Sequence, residues 1–342
     1  MKYNFAVLEK NKIKYVNGIL DKPKENEVLV KIDACAICTL EKRVYLGKIK
    51  FDYPFAGGHE VSGHVEAVGE KVKNLNANDK VALRLLNRCG ECYYCRSGYD
   101  NQCIEAFKTK IHKGYPGPGG FSEYILIDSK SVFKMPRDLD EKVIAFSEPL
   151  ACCIHSINRA KIELGDDVVI VGAGVMGLLH TILAKLRGAR VTVCEISKKR
   201  LEVAQKCGAD ILIDCNKEEP TKKVLNLTNG RGADVVVDTA PVSETAETSI
   251  KMLGKTGRLI LYSSFHPDKL VKISPNSIHY SEIIVTGSVN PSTSDFLRAT
   301  RLLSSRLVDP SILISEVISF KELEYGLENS IIPENYRVIV KM

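Results

Sequence analysis

Residues 167–177 read DVVIVGAGVMG. Asp167–Val171 is short and apolar on both faces, as a strand buried inside a parallel sheet must be. The three glycines that follow, Gly172, Gly174 and Gly177, form a GxGxxG pattern between this strand and a helical stretch ending near Gly188. Each glycine has its own reason: the first permits a tight turn, the second lets the backbone approach a pyrophosphate, and the third allows close packing of helix on strand. The N–H groups and positive dipole end of the helix then face the phosphates. Outside such a context the glycines would mark an ordinary loop.

Working downstream, apolar strands alternate with helical segments. Arg190–Cys194, Asp210–Asp214, Asp234–Asp238 (DVVVD), Arg258–Tyr262 (RLILY) and Glu282–Thr286 (EIIVT) read as strands, and Ser197–Cys207 and Ser243–Leu253 as helices. This alternation predicts a doubly wound parallel sheet. The second strand runs into Glu195, 18 residues after Gly177. A carboxylate there accepts hydrogen bonds from adenosine ribose hydroxyls and repels a 2′-phosphate, which favours NAD over NADP. Lys198, Lys199 and Arg200 follow closely and pull the other way.

Upstream the pattern changes. Glu27–Ile32, Val61–Val68, Lys80–Leu85 and Phe121–Ile127 read as strands between Gly, Pro and Asn turns, with no long helix, so a barrel-like domain is expected. A helix is expected over Ser294–Leu303 and a strand over Arg337–Lys341 (RVIVK), returning to this first domain. The expected division is therefore 1–150 with 289–342, carrying a metal lobe at 87–104, and a nucleotide domain at 151–288.

Composition narrows the class. The 342 residues exceed one ordinary core. Hydrophobic residues are 44% and charged residues 26%, with a net charge of +6 spread along the chain rather than gathered in a basic arm. No apolar run reaches the roughly 18 residues of a membrane helix, and the first 20 residues hold no signal-peptide core. A cytoplasmic protein is the expectation, with a small-molecule substrate and neither nucleic acid nor membrane as partner. The eleven cysteines are not spaced as a secreted disulfide scaffold.

Four of them, Cys89, Cys92, Cys95 and Cys103, form CxxCxxCx7C. Four thiolates at this spacing suit a closed tetrahedral zinc site that pins a lobe too short for its own core. An iron–sulfur cluster and unligated thiols are the alternatives. Other possible ligands are scattered: Cys38 after a strand, His59 and Glu60 in GGHE, and Glu148 in SEPL. Such a mixed set suits zinc with one position left open, but residue type alone does not separate these from core Cys and His residues or from other acids. Cys35, Cys152, Cys153, Cys194, Cys207 and Cys215 read as packing residues, as does His64.

With these pieces in view, the sequence resembles the zinc-containing medium-chain dehydrogenases. The matching segments are AIC (36–38), GGHEVSGHVEAVG (57–69), CGECYYCRSGYDNQC (89–103), GGFSEY (119–124), SEPLACCIHS (147–156) and VGAGVMG (171–177). It is most similar to the polyol branch, which includes sorbitol and galactitol-phosphate dehydrogenases and carries the Glu of SEPL. The resemblance implies a GroES-like catalytic domain and a Rossmann domain, with the active site in the cleft between them. It also implies a homodimer or homotetramer, one catalytic and one structural zinc, and a hydride passed from alcohol to NAD.

Residue by residue, it implies that Cys38, His59, Glu60 and Glu148 serve the catalytic zinc and that Cys89, Cys92, Cys95 and Cys103 hold the structural one. Glu41 would orient His59, and Arg337 would face Glu60. Gly172, Gly174, Val175, Met176, Gly177, Glu195 and Arg200 make up the expected cofactor-binding set. One departure concerns the proton relay. The family has Ser or Thr two residues after the zinc Cys; here that residue is Leu40, with a hydroxyl one place earlier at Thr39, and Arg43 stands where a His is usual. Either Thr39 enters the relay, or Glu60 or Glu148 takes the proton. Competing readings are a sugar-phosphate or threonine-type dehydrogenase, a zinc-ribbon nucleic-acid binder, and a catalytically dead relative.

Overall fold

The computed structural model describes residues 2–49, 52–106 and 111–342. The chain forms two compact units, Met1–Ala151 with Ser292–Met342, and Cys152–Pro291. The division falls within one helix.

The first unit begins with the hairpin β1 (Lys2–Glu9) and β2 (Lys12–Ile19), turned at Asn11 in the left-handed region (φ 55°). There follow β3 (Glu27–Ala36), α1 (Thr39–Tyr45), β4 (Glu60–Val68), β5 (Lys80–Arg84), α2 (Tyr93–Arg96), β6 (Ile111–His112), β7 (Tyr115–Pro116), β8 (Tyr124–Asp128), β9 (Val132–Lys134), α3 (Glu141–Ile144) and α4 (Ser147–Ala160). The second unit contains β10 (Asp167–Val171), α5 (Val175–Leu186), β11 (Arg190–Glu195), α6 (Lys198–Lys206), β12 (Ile211–Asp214), α7 (Pro220–Leu227), β13 (Ala233–Asp238), α8 (Ser243–Lys251), β14 (Leu253–Leu261), α9 (Pro275–Ser281) and β15 (Ile284–Gly287). The chain then re-enters the first unit as α10 (Thr293–Ser304), β16 (Ile314–Ser319), α11 (Leu323–Asn329) and β17 (Arg337–Lys341).

In the first unit a seven-stranded sheet runs β16-β17-β3-β4-β5-β9, with β8 also pairing β3. Only β16 and β17 are parallel; the other pairs are antiparallel. Its inward faces build one core from Val28, Val30, Ile32, Val61, Val65, Leu83 and Val340 among others, joined by Phe121 from the segment before β8 and Leu323 of α11. This supplies the mixed β-rich domain that the short strands predict. The hairpin and α4 were not anticipated.

The second unit is a fully parallel six-stranded sheet in the order β12-β11-β10-β13-β14-β15. Counted from its own first strand this is 3-2-1-4-5-6, the dinucleotide-binding order, whose chain reversal lies between the first and fourth strands. The last expected strand is displaced: Glu282 is not extended but takes a left-handed conformation (φ 50°) that closes α9, so β15 starts at Ile284.

The metal lobe is fastened to the re-entering chain. The carboxylate of Asp100 accepts from the Thr293 backbone N–H (3.0 Å) and hydroxyl at the first turn of α10. Ser292 and Asp295 close the same helix end as a capping box. Among the described residues no helix is long and apolar enough to cross a membrane.

Candidate active site

In the first unit the strand register gathers the scattered ligands. Ala36 at the end of β3 lies opposite Glu60 at the start of β4 and opposite Ile339 of β17. Continuing that register two residues brings Cys38, just past β3, alongside Arg337, where β17 begins. The Ile37 N–H to Val338 carbonyl bond (3.0 Å) holds the alignment. Three strand ends therefore deliver Cys38, His59, Glu60 and Arg337 to one place, and the first turn of α4 adds Glu148.

Ligand atoms of His59, Glu60 and Glu148 lie within 4.8 Å of one another, as do those of Cys38, Glu41 and His59. His59, Glu60, Glu148 and Glu41 are all buried. Glu41 Oε1 accepts from the Gly58 N–H (2.9 Å) and pairs with His59 Nδ1 (2.8 Å), so only Nε2 of His59 is directed into the cluster. Gly58 makes this possible. Its φ is +90°, and a Cβ there would meet the Phe121 backbone nitrogen at 2.6 Å. Nothing beyond the GG before His59 could have signalled this role.

Arg337 donates to Glu60 Oε1, and its guanidinium lies 3.8 Å from Cys38 Sγ; the pair is 3% and 0% exposed. Burial pushes the Glu60 carboxyl up, and Arg337 draws it part of the way back. Burial works against a proton on His59, but Glu41 and Cys38 outweigh it and hold its pKa well above the usual value. A proton on His59 thus sits where several anionic groups converge. A divalent cation suits this cluster better: it offers sulfur, imidazole nitrogen and carboxylate oxygen, and Glu60 Oε2 is buried with no hydrogen-bond partner. Thr39 is exposed as the first residue of α1, and Leu40 packs against the core.

The four-cysteine lobe is a different construction. Cys89, Cys92, Cys95 and Cys103 converge within 4.8 Å, with Sγ–Sγ distances of 3.5 Å (Cys89–Cys103) and 3.9 Å (Cys89–Cys95). A tetrahedron with metal–sulfur bonds of about 2.3 Å has edges of about 3.8 Å. Backbone N–H groups of Cys92 and Glu105 donate to the sulfurs of Cys89 and Cys103. Such N–H donors draw the Cys92 thiol down to about 6. The lobe is shaped to hold a tetrahedral metal with no position left over.

In the second unit Gly172 has φ +91°. A Cβ on Gly177 would stand 1.9 Å from the Gly172 carbonyl, so the helix can approach only as glycine. A Cβ on Gly174, the N-cap of α5, meets only the Arg200 guanidinium at 3.9 Å, which leaves open room over the loop for a phosphate. Val175 and Met176 open α5. Thr239, not singled out in the sequence, donates its hydroxyl to the Val171 carbonyl (2.7 Å) and underpins the loop.

Glu195, 7% exposed, does more than its position in the sequence suggests. It accepts from the N–H groups of Ala173 (2.8 Å), Ile196 (2.7 Å) and Ser197 (3.0 Å), so it braces the glycine loop. Arg200 Nη1 lies 3.8 Å away.

Comparisons with known proteins agree with this construction. The alcohol dehydrogenase GroES-like domain model matches residues 24–137, and the zinc-binding dehydrogenase model matches residues 175–305. The chain is 30% identical to a sorbitol dehydrogenase from Halalkalibacterium halodurans over 303 residues, 88% of this chain and 87% of the relative. It is also 30% identical to an L-threonine 3-dehydrogenase from Bacillus velezensis over 311 residues, 89% and 88% of the two chains. Among solved structures it is similar to a zinc-binding dehydrogenase from Sinorhizobium meliloti bound to NADP, with TM-score 0.90, 28% identity and 100% and 99% of the chains covered. Matched along both units and carrying both sets of converging side chains, the chain belongs to the zinc-dependent medium-chain alcohol and polyol dehydrogenase family.

Proposed function

We propose that the protein oxidises a polyol or other secondary alcohol to a ketone with NAD as hydride acceptor. The observation that carries this reading is the convergence on His59 of Cys38 from one side and of Glu60 and Glu148 from the other, with His59 and both carboxylates buried. In this reading Cys38, His59 and Glu60 would hold the catalytic zinc with Glu148 beside it, leaving the fourth position for the alcohol, and the four lobe cysteines would hold a second, structural zinc. When bound, the zinc supplies a Lewis acid that lowers the pKa of an alcohol hydroxyl, and the nicotinamide supplies the hydride acceptor.

The chain's own residues do the rest. Glu41 fixes the His59 ring so that Nε2 faces the cluster. Arg337 occupies one oxygen of Glu60, which leaves Glu148 to take the alcohol proton. Thr39, exposed beside Cys38, can pass that proton to bulk water. Leu40 is committed to the core and takes no part.

In the second unit a carboxylate offers about four lone-pair sites. Backbone N–H groups engage three of those of Glu195. The fourth is available to one ribose hydroxyl, and the negative charge disfavours a 2′-phosphate. Arg200 beside it moderates that preference.

Reduced-cofactor formation with NAD and NADP, over polyols, simple secondary alcohols, sugar phosphates and threonine, tests the reading. Chelator-sensitive turnover of a polyol or secondary alcohol with NAD supports it. Turnover confined to threonine or to a sugar phosphate replaces the substrate class. A fully zinc-loaded enzyme that turns over nothing across the panel removes the reading. The variant Glu195→Gln should narrow the NAD-over-NADP ratio in kcat/KM; an unchanged ratio removes Glu195 from cofactor choice.

A further inference from the structure

Two cysteines that neither metal cluster uses stand beside Glu195. Cys194 is the residue before it on β11, and Cys215 follows Asp214 at the end of β12. The strands are parallel, with Cys194 opposite Ile213 and Glu195 opposite Asp214. Side chains two residues apart on a strand share a face, so Cys215 and Ile213 point to the same side as Cys194. Both cysteines belong to one apolar cluster, where the Cys215 thiol donates to the Ile213 carbonyl (3.8 Å) on the face it shares with Cys194. Cys194 is 2% exposed, whereas Cys215 is half-buried and reachable.

We propose that Cys194 and Cys215 form a redox pair that a hydroperoxide converts to a disulfide, loosening the neighbouring cofactor site. Cys215 attacks first. Its sulfur takes the distal peroxide oxygen, the O–O bond breaks, and the leaving oxygen departs as water or an alcohol carrying the thiol proton. The sulfur of Cys194 then attacks the Cys215 sulfenic acid, the S–O bond breaks, and a second water leaves with the Cys194 proton. The peroxide is reduced by two electrons and the thiol pair is oxidised by two. The half-exposed thiol meets the oxidant and the buried one resolves it, the usual division in redox-sensing pairs. The neighbouring Cys194 thiol also draws the pKa of the Cys215 thiol down, which raises its thiolate fraction.

The consequence for the site follows from what Cys215 is tied to. Its N–H donates to the Glu195 carbonyl (3.0 Å), and Asn216 Nδ2 donates to the Ile196 carbonyl (2.6 Å). A disulfide requires Cβ atoms about 3.5–4.5 Å apart. Cys215 lies beyond the end of its strand, so closing the bond draws residues 214–216 inward and moves both contacts. The backbone they hold is the Glu195–Ser197 segment whose N–H groups fix the Glu195 carboxylate. This second half of the proposal rests on the reading of Glu195 as the residue facing the adenosine ribose.

The test uses zinc-loaded enzyme treated with one equivalent of hydrogen peroxide, with zinc content measured before and after. A non-reducing tryptic map should show residues 191–198 joined to residues 207–217, with fragment ions placing the bond on Cys215 rather than Cys207. NADH affinity, followed by fluorescence titration, should weaken at least fivefold and recover with dithiothreitol. Cys215→Ser should bind NADH as the untreated protein does and ignore peroxide. Absence of the linked peptide while zinc is retained overturns the pair. A linked peptide with unchanged NADH affinity overturns its effect on the site. Reduced enzyme that binds neither NADH nor NADPH would instead defeat the cofactor reading, while the peptide map still decides the disulfide.

Discussion

The two clusters proposed to bind metal solve one problem in opposite ways. The lobe takes all four donors from fifteen consecutive residues, 89–103, and grades them from the exposed Cys89 through the half-buried Cys92 and Cys95 to the buried Cys103. The other cluster takes its donors from positions 38, 59, 60 and 148 and, apart from the half-buried Cys38, buries them behind a strand register. A local cluster of one ligand type can only close around its ion and stiffen a loop. A cluster assembled by the fold can mix sulfur, nitrogen and oxygen, support each donor with a partner, and keep a position for substrate. The difference leads to an expectation: order in the lobe should depend on its metal, whereas order in the other cluster should depend on the sheet.

Four changes would break or sharpen that contrast. Cys103→Ser should have the largest effect, and a local one. Structural zinc in small peptides is worth on the order of 10 kcal/mol of folding free energy, so the lobe should open, be cut by trypsin at Arg88 and Arg96, and leave one zinc per chain. A trypsin-resistant variant with a single zinc would show that the lobe is ordered without its metal. His59→Ala should instead spare the fold and lower kcat/KM by about a thousandfold, since the ion supplies several kcal/mol of transition-state stabilisation. A comparable fall in Tm would show that the sheet does not hold the buried cluster by itself.

Third, Arg337→Met leaves Glu60 buried without its cation, at a cost of about 3 kcal/mol. The sign with pH is testable. Arg337 lowers the Glu60 pKa, so its loss raises that pKa further above the unfolded value. A carboxyl raised in this way is destabilising once ionised. The variant's deficit in metal-free protein should therefore grow as pH rises from 5 to 8; thermal melts that show a shrinking deficit would exclude this ion pair as its cause. Smallest is Glu41→Gln, which keeps an acceptor for His59 but removes the charge. It should cost about tenfold in zinc affinity at the buried cluster, measured by competition with a chelator, and nothing at the lobe.

The same contrast explains what could be read from sequence. DVVIVGAGVMG is legible because each residue answers a local demand: apolar on both faces, then glycine where a Cβ would strike a carbonyl at 1.9 Å. The lobe is legible because its spacing is local. Cys38 and Glu60 are not, because only the pairing of Ala36 with Glu60 makes them neighbours, and without the family resemblance they do not stand apart from other Cys, His and acidic residues. The bracing role of Glu195 was hidden for a related reason: its partners are backbone N–H groups, which carry no residue identity. The β1–β2 hairpin escaped because its second strand is lysine-rich and mostly exposed, so its alternation is faint.

The contact between Asp100 and Thr293 spans 193 residues. On a ribosome adding about 5–20 residues per second, the lobe waits about 10–40 seconds after emerging before the helix that anchors it has been made. During that interval its four thiols are open to oxidation and to the wrong metal. Early zinc capture would protect them before docking, so the yield of active protein from an expressing cell should depend on zinc supply during synthesis more than on zinc added afterwards.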